Sequence, residues 1–353
     1  MTRAALCRAF GQPLTLETID LPEPGPSEVR VRLEAVAICH SDISFAEGAW
    51  GGDLPALYGH EAVGTVEAAG PGALHGAGAR VLVTLIRSCG RCAPCASGAP
   101  TACLAPPASG ETRAGDERVA VAMHTGAFAE AVVVHESQLV PLPADIPAQA
   151  ACLLSCGVIT GVGAVVNAAR LRPGQDVVVI GAGGVGLNAI QGARLAGARR
   201  IVAVDLSEAK LEDARAFGAT DAVLAEGEPW RAARQATGRG ADAVIVTVGA
   251  IPAYEAAPRY LAPGGTVVAV GMPHSGATAE WEPVILAAVG QGIRGSKMGD
   301  VVLARDVPWM IDLWRQGRLK LDELVSRTFP LEEINAAIAD TKGGAARRNV
   351  ILF

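Results

Sequence analysis

Over roughly the first 150 residues, short runs alternate apolar and polar positions. EVRVRLEAVAI (Glu28–Ile38), AVGTVEAAG (Ala62–Gly70), ARVLVT (Ala79–Thr84) and AFAEAVVV (Ala127–Val134) carry the two-residue period of a strand, with Gly and Pro between them. From Leu153 the rhythm changes. SCGVITGVGAVVNAAR reads as one helix, and wholly apolar strands then alternate with helices. The strands are DVVVIG (Asp176–Gly181), IVAVD (Ile201–Asp205), ADAVIVTVG (Ala241–Gly249) and TVVAVG (Thr266–Gly271). GVGLNAIQGARLAG and SEAKLEDARAFG are helices, the second with Ser207 as its N-cap. Such strands predict a parallel sheet covered on both faces. Beyond about Lys297, helical stretches at Val307–Gln316 and Leu331–Asp340 precede a closing strand, RNVILF. The pattern is α/β: a β-rich part followed by a doubly wound part, with a returning tail.

Composition narrows the partners. At 353 residues, 50% hydrophobic and 19% charged, the chain suits two domains with large buried cores. A net charge of −6 offers nothing to nucleic acid or to an anionic membrane. No apolar run approaches the roughly 18 residues that cross a bilayer, and MTRAALCRAFGQPLTLE lacks the pattern of a secretory leader. A cytoplasmic address is expected, and there disulfides seldom persist.

GAGGVG at Gly181–Gly186 satisfies G-x-G-x-x-G, follows a strand, opens a helix and is followed by Asp205 at the next strand end. Gly181 permits the tight turn, Gly183 the approach of a pyrophosphate, and Gly186 close helix–strand packing. The helix start at Gly184 supplies unpaired N–H donors to the anion. Asp205 can accept from a ribose diol and would repel a 2′-phosphate, which favours NAD over NADP.

Cys89, Cys92, Cys95 and Cys103 fall within SCGRCAPCASGAPTAC. The repeated short spacing favours a tetrathiolate zinc over an iron–sulfur cluster or disulfides. Such a site is closed, with no position for a substrate. Arg87 and Arg91 stand where they can offset its formal negative charge. Cys39 in AICHSD, with His60 and Glu61 in YGHEAVG, offers residue types for an open, catalytic zinc. Taken singly, each also reads as a core or structural residue.

Together these stretches resemble the zinc-dependent medium-chain alcohol dehydrogenases, over essentially the whole chain. ICHSD, GHEAVG, the cysteine lobe 88–103, SCGVITGVGAVVNAARLRPG, GAGGVG with VDLSEAK, and RNVILF each resemble a family segment, in the family's order. The resemblance implies a GroES-like catalytic domain (1–157), a Rossmann NAD domain (158–296) and a return to the first domain (297–353). It implies two Zn²⁺ per chain. Cys39, His60 and Cys156 would hold the catalytic ion, and Cys89, Cys92, Cys95 and Cys103 the structural one. Cys152 and Cys7 have no counterpart role and read as core. Asp42 would orient His60, Glu61 would lie behind the metal, and Ser41 would take the substrate proton. His40 and Arg348 would meet the cofactor pyrophosphate. Thr160 and Val185 would pack on the nicotinamide, and Lys210 would lie near the adenosine ribose, beside the loop Gly181, Gly183, Gly184 and Gly186.

The implied reaction moves a hydride between a primary or secondary alcohol, aromatic ones included, and NAD. Polyol and thiol–formaldehyde adduct dehydrogenases share the architecture and stay open, as does a non-catalytic NAD- and zinc-binding protein. Trp50 either lines the alcohol side or belongs to a core or interface. The chain departs from the family at Ser44, where well-known members carry a His that passes the proton onward. The length between Cys103 and Cys156 leaves homodimer and homotetramer open.

Overall fold

A computed structural model describes all 353 residues. They form two compact units: Met1–Cys156 with Val302–Gln316 and Leu321–Phe353, and Gly157–Val301 with Gly317–Lys320.

The first unit is built on two sheets. In the larger one, Leu139–Pro141, Arg80–Val83, Glu61–Ala69, Glu28–Ala37, Arg348–Leu352 and Val325–Pro330 lie side by side in that order, and Ala131–His135 also pairs with Glu28–Ala37. Val29, Val31 and Leu33 turn inward, as the alternation predicts; from Ala35 to Ile38 every residue is buried. Antiparallel register sets Ala37 opposite both Glu61 and Val350. The end of one strand, the start of a second and the start of the closing strand therefore meet at one end of the sheet. Cys39, His60 and Arg348 all come from that end.

The run Ala127–Val134 is shorter as a strand than its alternation suggests. The ladder begins at Ala131, because the amides of Ala127 and Phe128 are taken by the carbonyls of Gly59 and Tyr58, both at 2.8 Å.

The second unit holds a six-stranded parallel sheet in the order Asp221–Leu224, Arg200–Asp205, Asp176–Ile180, Ala241–Val246, Leu261–Ala269 and Gly292–Gly295. Counted along the chain this is 3-2-1-4-5-6, the doubly wound arrangement. Both edge strands escape the sequence pattern, being four residues long and only partly buried. Two local readings are corrected. The helix expected through SCGVITGVGAVVNAAR is broken at Cys156 (φ −148°, ψ −68°), with a 3-10 turn Cys152–Ser155 before it, and the helix Gly157–Gly163 and a π-helical turn Ala164–Ala169 after it. Ser207 does precede the helix Glu208–Phe217, but its hydroxyl caps nothing. Its own N–H instead donates to Asp205 Oδ1 at 3.0 Å.

Candidate active site

Cys39, His60, Glu61 and Cys156 each point one donor atom to a common centre, all four atoms lying within 4.8 Å of one another. All four residues are buried and all belong to the first unit. The turn of chain at Cys156 that interrupts the expected helix is what presents its sulfur. His60 Nε2 and Glu61 Oε2 are buried with no hydrogen-bond partner. Orphaned buried polar atoms are rare and costly, and two thiols with an imidazole are a soft, tetrahedral donor set. The residues therefore fit a zinc ion.

Asp42 organises this centre. It is the third residue of the helix His40–Ala46 and is 1% exposed. Its Oδ2 accepts from the N–H of Cys39 (3.1 Å), and its Oδ1 from the N–H of Gly59 (2.9 Å) and from His60 Nδ1 (3.0 Å). One carboxylate thus ties the first ligand's backbone to the second ligand's ring and leaves Nε2 facing the centre. Burial opposes charge on His60, but Asp42 and then Cys39 outweigh it and hold the imidazole well above its ordinary pKa. Cys39 is held well below the thiol range by the hydrogen bond from Cys156, helped by His60 and Arg348. Cys156 is pushed up by the same bond and by burial.

Glu61 is fully buried, and burial raises its pKa to about 8 despite Arg348. Arg348 Nη1 lies 3.2 Å from Glu61 Oε1 and 3.4 Å from the Ile38 carbonyl. Burial works against its charge, and Glu61 with the two thiols restores it. The resemblance gave Arg348 only a pyrophosphate role, and its pairing with Glu61 was missed. The two are 287 positions apart, and no local pattern signals the contact. Ser41 is half-buried and His40 exposed on the same short helix. Phe45, one turn after Ser41, takes the ring of Trp50 edge-on at 4.9 Å and stacks on Tyr58 at 6.1 Å. Cys152 and Cys7 are fully buried and bond the carbonyls of Gln149 and Ala9, both at 3.4 Å.

The lobe cysteines Cys89, Cys92, Cys95 and Cys103 also gather within 4.8 Å, half-exposed. Main-chain N–H groups point at the sulfurs: Cys89 to Cys103 (3.3 Å), Cys92 to Cys89 (3.3 Å) and Leu104 to Cys92 (3.5 Å). The last of these leads in lowering Cys92 to about 6, while desolvation first, then its thiol neighbours, raise Cys95 to about 12. Arg87 does not serve as the expected counter-charge. Its guanidinium is committed to Glu28, Gln138, Ser109 and the Pro107 carbonyl.

In the second unit, Gly181 has φ +95°, and a Cβ there would run into Val248. A Cβ on Gly186 would strike the carbonyl of Gly181, whereas Gly183 faces open space. The three glycines thus meet three different needs: left-handed backbone, close packing and room for a ligand. Val185 and Gly184 stand half-buried in the first turn of the helix Gly184–Leu195. Asp205 Oδ2 accepts from the N–H of Ala182 at 2.7 Å, which fixes the loop, and Lys210 lies half-buried one turn into the next helix. Thr160 is buried, its hydroxyl 3.7 Å from Met298 Sδ.

The alcohol dehydrogenase GroES-like domain family matches residues 25–144, and the zinc-binding dehydrogenase family matches residues 184–316. Alcohol dehydrogenase B of Mycobacterium tuberculosis is 34% identical over 376 residues, covering 100% of this chain and 98% of its own. Geraniol dehydrogenase of Castellaniella defragrans is 33% identical over 365 residues, covering 99% and 97%. The crystal structure of benzyl alcohol dehydrogenase from Acinetobacter calcoaceticus superposes with a TM-score of 0.94 at 29% identity, covering 100% of this chain and 99% of that one. No single helix is long and apolar enough to cross a membrane. With its GroES-like and Rossmann units and its metal-ready cysteines, the chain belongs to the zinc-dependent medium-chain alcohol dehydrogenases, enzymes that exchange a hydride between an alcohol and NAD.

Proposed function

We propose that the chain binds two Zn²⁺ and oxidises primary or secondary alcohols, ring-bearing ones included, to aldehydes or ketones with NAD. The observation that carries the site assignment is the orphaned His60 Nε2, buried among Cys39, Cys156 and Glu61. Cys39, His60 and Cys156 would hold the catalytic ion, and Cys89, Cys92, Cys95 and Cys103 the structural one. Zinc supplies Lewis acidity that makes an alcohol hydroxyl easier to deprotonate, and the nicotinamide accepts the hydride.

The chain's own residues do the rest. Asp42 keeps the proton on His60 Nδ1, so Nε2 stays a donor to the ion. Ser41 takes the alcohol proton. Ser44, in place of the family's relay His, can pass that proton on but has no pKa near neutrality with which to hold it. Arg348, paired with Glu61 Oε1, brings a positive charge toward the thiolates, while Glu61 Oε2 faces the centre. The loop Gly181–Gly186 receives the pyrophosphate, and His40 and Arg348 are carried as cofactor contacts on the resemblance alone. Asp205 holds the ribose diol and excludes a 2′-phosphate, Lys210 assists at the ribose, and Thr160 and Val185 pack on the nicotinamide.

A ring-bearing substrate is supported by Phe45, on the helix face of Ser41, and by Trp50 against it. It is supported also by likeness to the benzyl alcohol enzyme. A homo-oligomer is supported by the helix Pro283–Val289. Its sequence PVILAAV has no buried residue, with Val284 71% and Ile285 49% exposed, and it precedes the edge strand Gly292–Gly295. An exposed apolar helix and an open strand edge are both surfaces that a two-fold axis can pair with the same surface of a second copy. A reducing, cytoplasmic setting suits eight cysteines of which none is joined in a disulfide.

The test is a panel of aliphatic, benzylic and polyol alcohols with NAD and with NADP, on protein of measured zinc content. NADH formation with benzylic or aliphatic alcohols at two zincs per chain is expected. Silence across the panel at that zinc content, or equal rates with NADP, would count against the reading.

A further inference from the structure

Arg87 lies between the strand Arg80–Val83 and Cys89, the first thiol of the lobe, and only 1% of its side chain is exposed. A buried guanidinium is tolerated only when its N–H groups are used, and these are. Nε donates to Gln138 Oε1 at 2.8 Å and Nη2 to Glu28 Oε1 at 3.1 Å; Nη1 donates to the Pro107 carbonyl at 3.3 Å and to Ser109 Oγ. Pro107 and Ser109 lie on the chain that leaves Cys103, the last lobe thiol, and Ser109 Oγ also bonds Glu28 at 3.1 Å. Arg87 therefore clamps the lobe's exit to the body of the first unit.

Gln138, fully buried, carries the contact onward. Its Oε1 accepts from Arg87 and from the N–H of His135 (3.2 Å), and its Nε2 donates to the carbonyls of Thr84 (2.8 Å) and His124 (3.0 Å). Both donors and both acceptor positions of the amide are filled. Thr84 follows Val83, which pairs with Ala62, the neighbour of Glu61. His124 closes a pair of left-handed residues, Met123 (φ 51°) and His124 (φ 56°), a backbone that side-chain-bearing residues hold only when their surroundings impose it. The chain then bonds Gly59 through Ala127, and Gly59 bonds Asp42, the carboxylate on His60. Hydrogen bonds and the short main-chain stretch 124–127 thus join the lobe to His60 within one unit.

We infer that Arg87 and Gln138 are positioning residues: they hold the left-handed turn at Met123–His124, from which the chain runs on to Ala127 and its bond to Gly59, and make its position depend on a filled lobe. The lobe then acts on alcohol binding through this path, as well as on stability. The inference rests on the alcohol oxidation proposed above, since the path ends on His60, the residue proposed to hold the catalytic ion.

Gln138→Glu separates the two halves of the path. It keeps an oxygen for Arg87 and His135 but removes both N–H donors to Thr84 and His124. The zinc-loaded Gln138→Glu, Cys95→Ser and double variants are compared for kcat, KM for benzyl alcohol, melting temperature and amide exchange of residues 122–130. The expected result is a KM raised about tenfold with kcat within about twofold of wild type in each single variant. Exchange at residues 122–130 rises in both, and the double variant is no worse than the more affected single one, because they interrupt one path. Additive effects, or a lowered melting temperature with KM and exchange unchanged in Gln138→Glu, overturn the inference. If Cys95→Ser does not fold, Gln138→Glu alone decides by its KM and exchange. Should no alcohol be turned over, the proposed function fails while exchange at 122–130 still tests the path.

Discussion

Replacing Asp42 by Asn probes the centre with the smallest change of shape. The carboxylate accepts three hydrogen bonds: from the N–H of Cys39, the N–H of Gly59 and His60 Nδ1. An amide has one oxygen. Kept on Gly59 and His60, it turns its NH2 toward the N–H of Cys39, so two donors face each other in a buried place. A bond to a charged acceptor is lost, worth about 1.5–3 kcal/mol, and a buried N–H is left unpaired. The negative charge behind the imidazole goes as well, which weakens His60 as a ligand. Loss of such an orienting carboxylate costs about 10–100-fold in metal affinity, or about 1.4–2.7 kcal/mol. The assay is competition for zinc with a chromogenic chelator, which separates two classes of ion per chain. One class should weaken by that factor while the lobe class holds. Wild-type affinity in both classes, or equal loss from both, would refute the reasoning.

Further predictions follow from the same geometry. His60 and Cys156 are held protonated, so zinc must displace two protons; affinity at this centre should rise with pH, by up to about a hundredfold per unit near neutrality, and a flat profile from a chelator titration would contradict it. Cys95→Ala should lower the melting temperature before it lowers kcat, and an inactive protein with wild-type melting would argue against a closed structural ion. Ser44→His should speed turnover below about pH 8, where a hydroxyl cannot store the proton, and an unchanged pH profile would dismiss the relay argument. Val284→Glu places a charge on the exposed apolar helix and should shift the sedimenting species toward monomer; an unchanged mass would place any interface elsewhere.

The sequence made the Rossmann unit legible because its four central strands are buried on both faces and its glycines have distinct local duties. The short edge strands Asp221–Leu224 and Gly292–Gly295 were not legible, since half-buried four-residue runs carry too few apolar positions to show a period. Residue types named Cys39 and His60 as metal candidates, and resemblance added Cys156. No proline or charge in SCGVITGVG marks the break at Cys156, and with the residues on both sides of it buried no period shows where one helix stops. Arg87 was misread from nearness in sequence: it adjoins the thiols along the chain, but Glu28 on a distant strand and Gln138 on the 3-10 turn Glu136–Gln138 reach it and engage its guanidinium. Long-range pairing of buried polar groups, as in Glu61 with Arg348, is set by sheet register and leaves no local trace.

The central claim is that chemistry resides at Cys39, His60 and Cys156 and not at the four-cysteine lobe. His60→Ala tests it most directly, with zinc content, melting temperature and NADH formation measured on one preparation. The expected protein is folded, holds one zinc per chain in the lobe and turns over no alcohol. A His60→Ala protein that retains one zinc and oxidises alcohol at a rate near wild type would contradict the account.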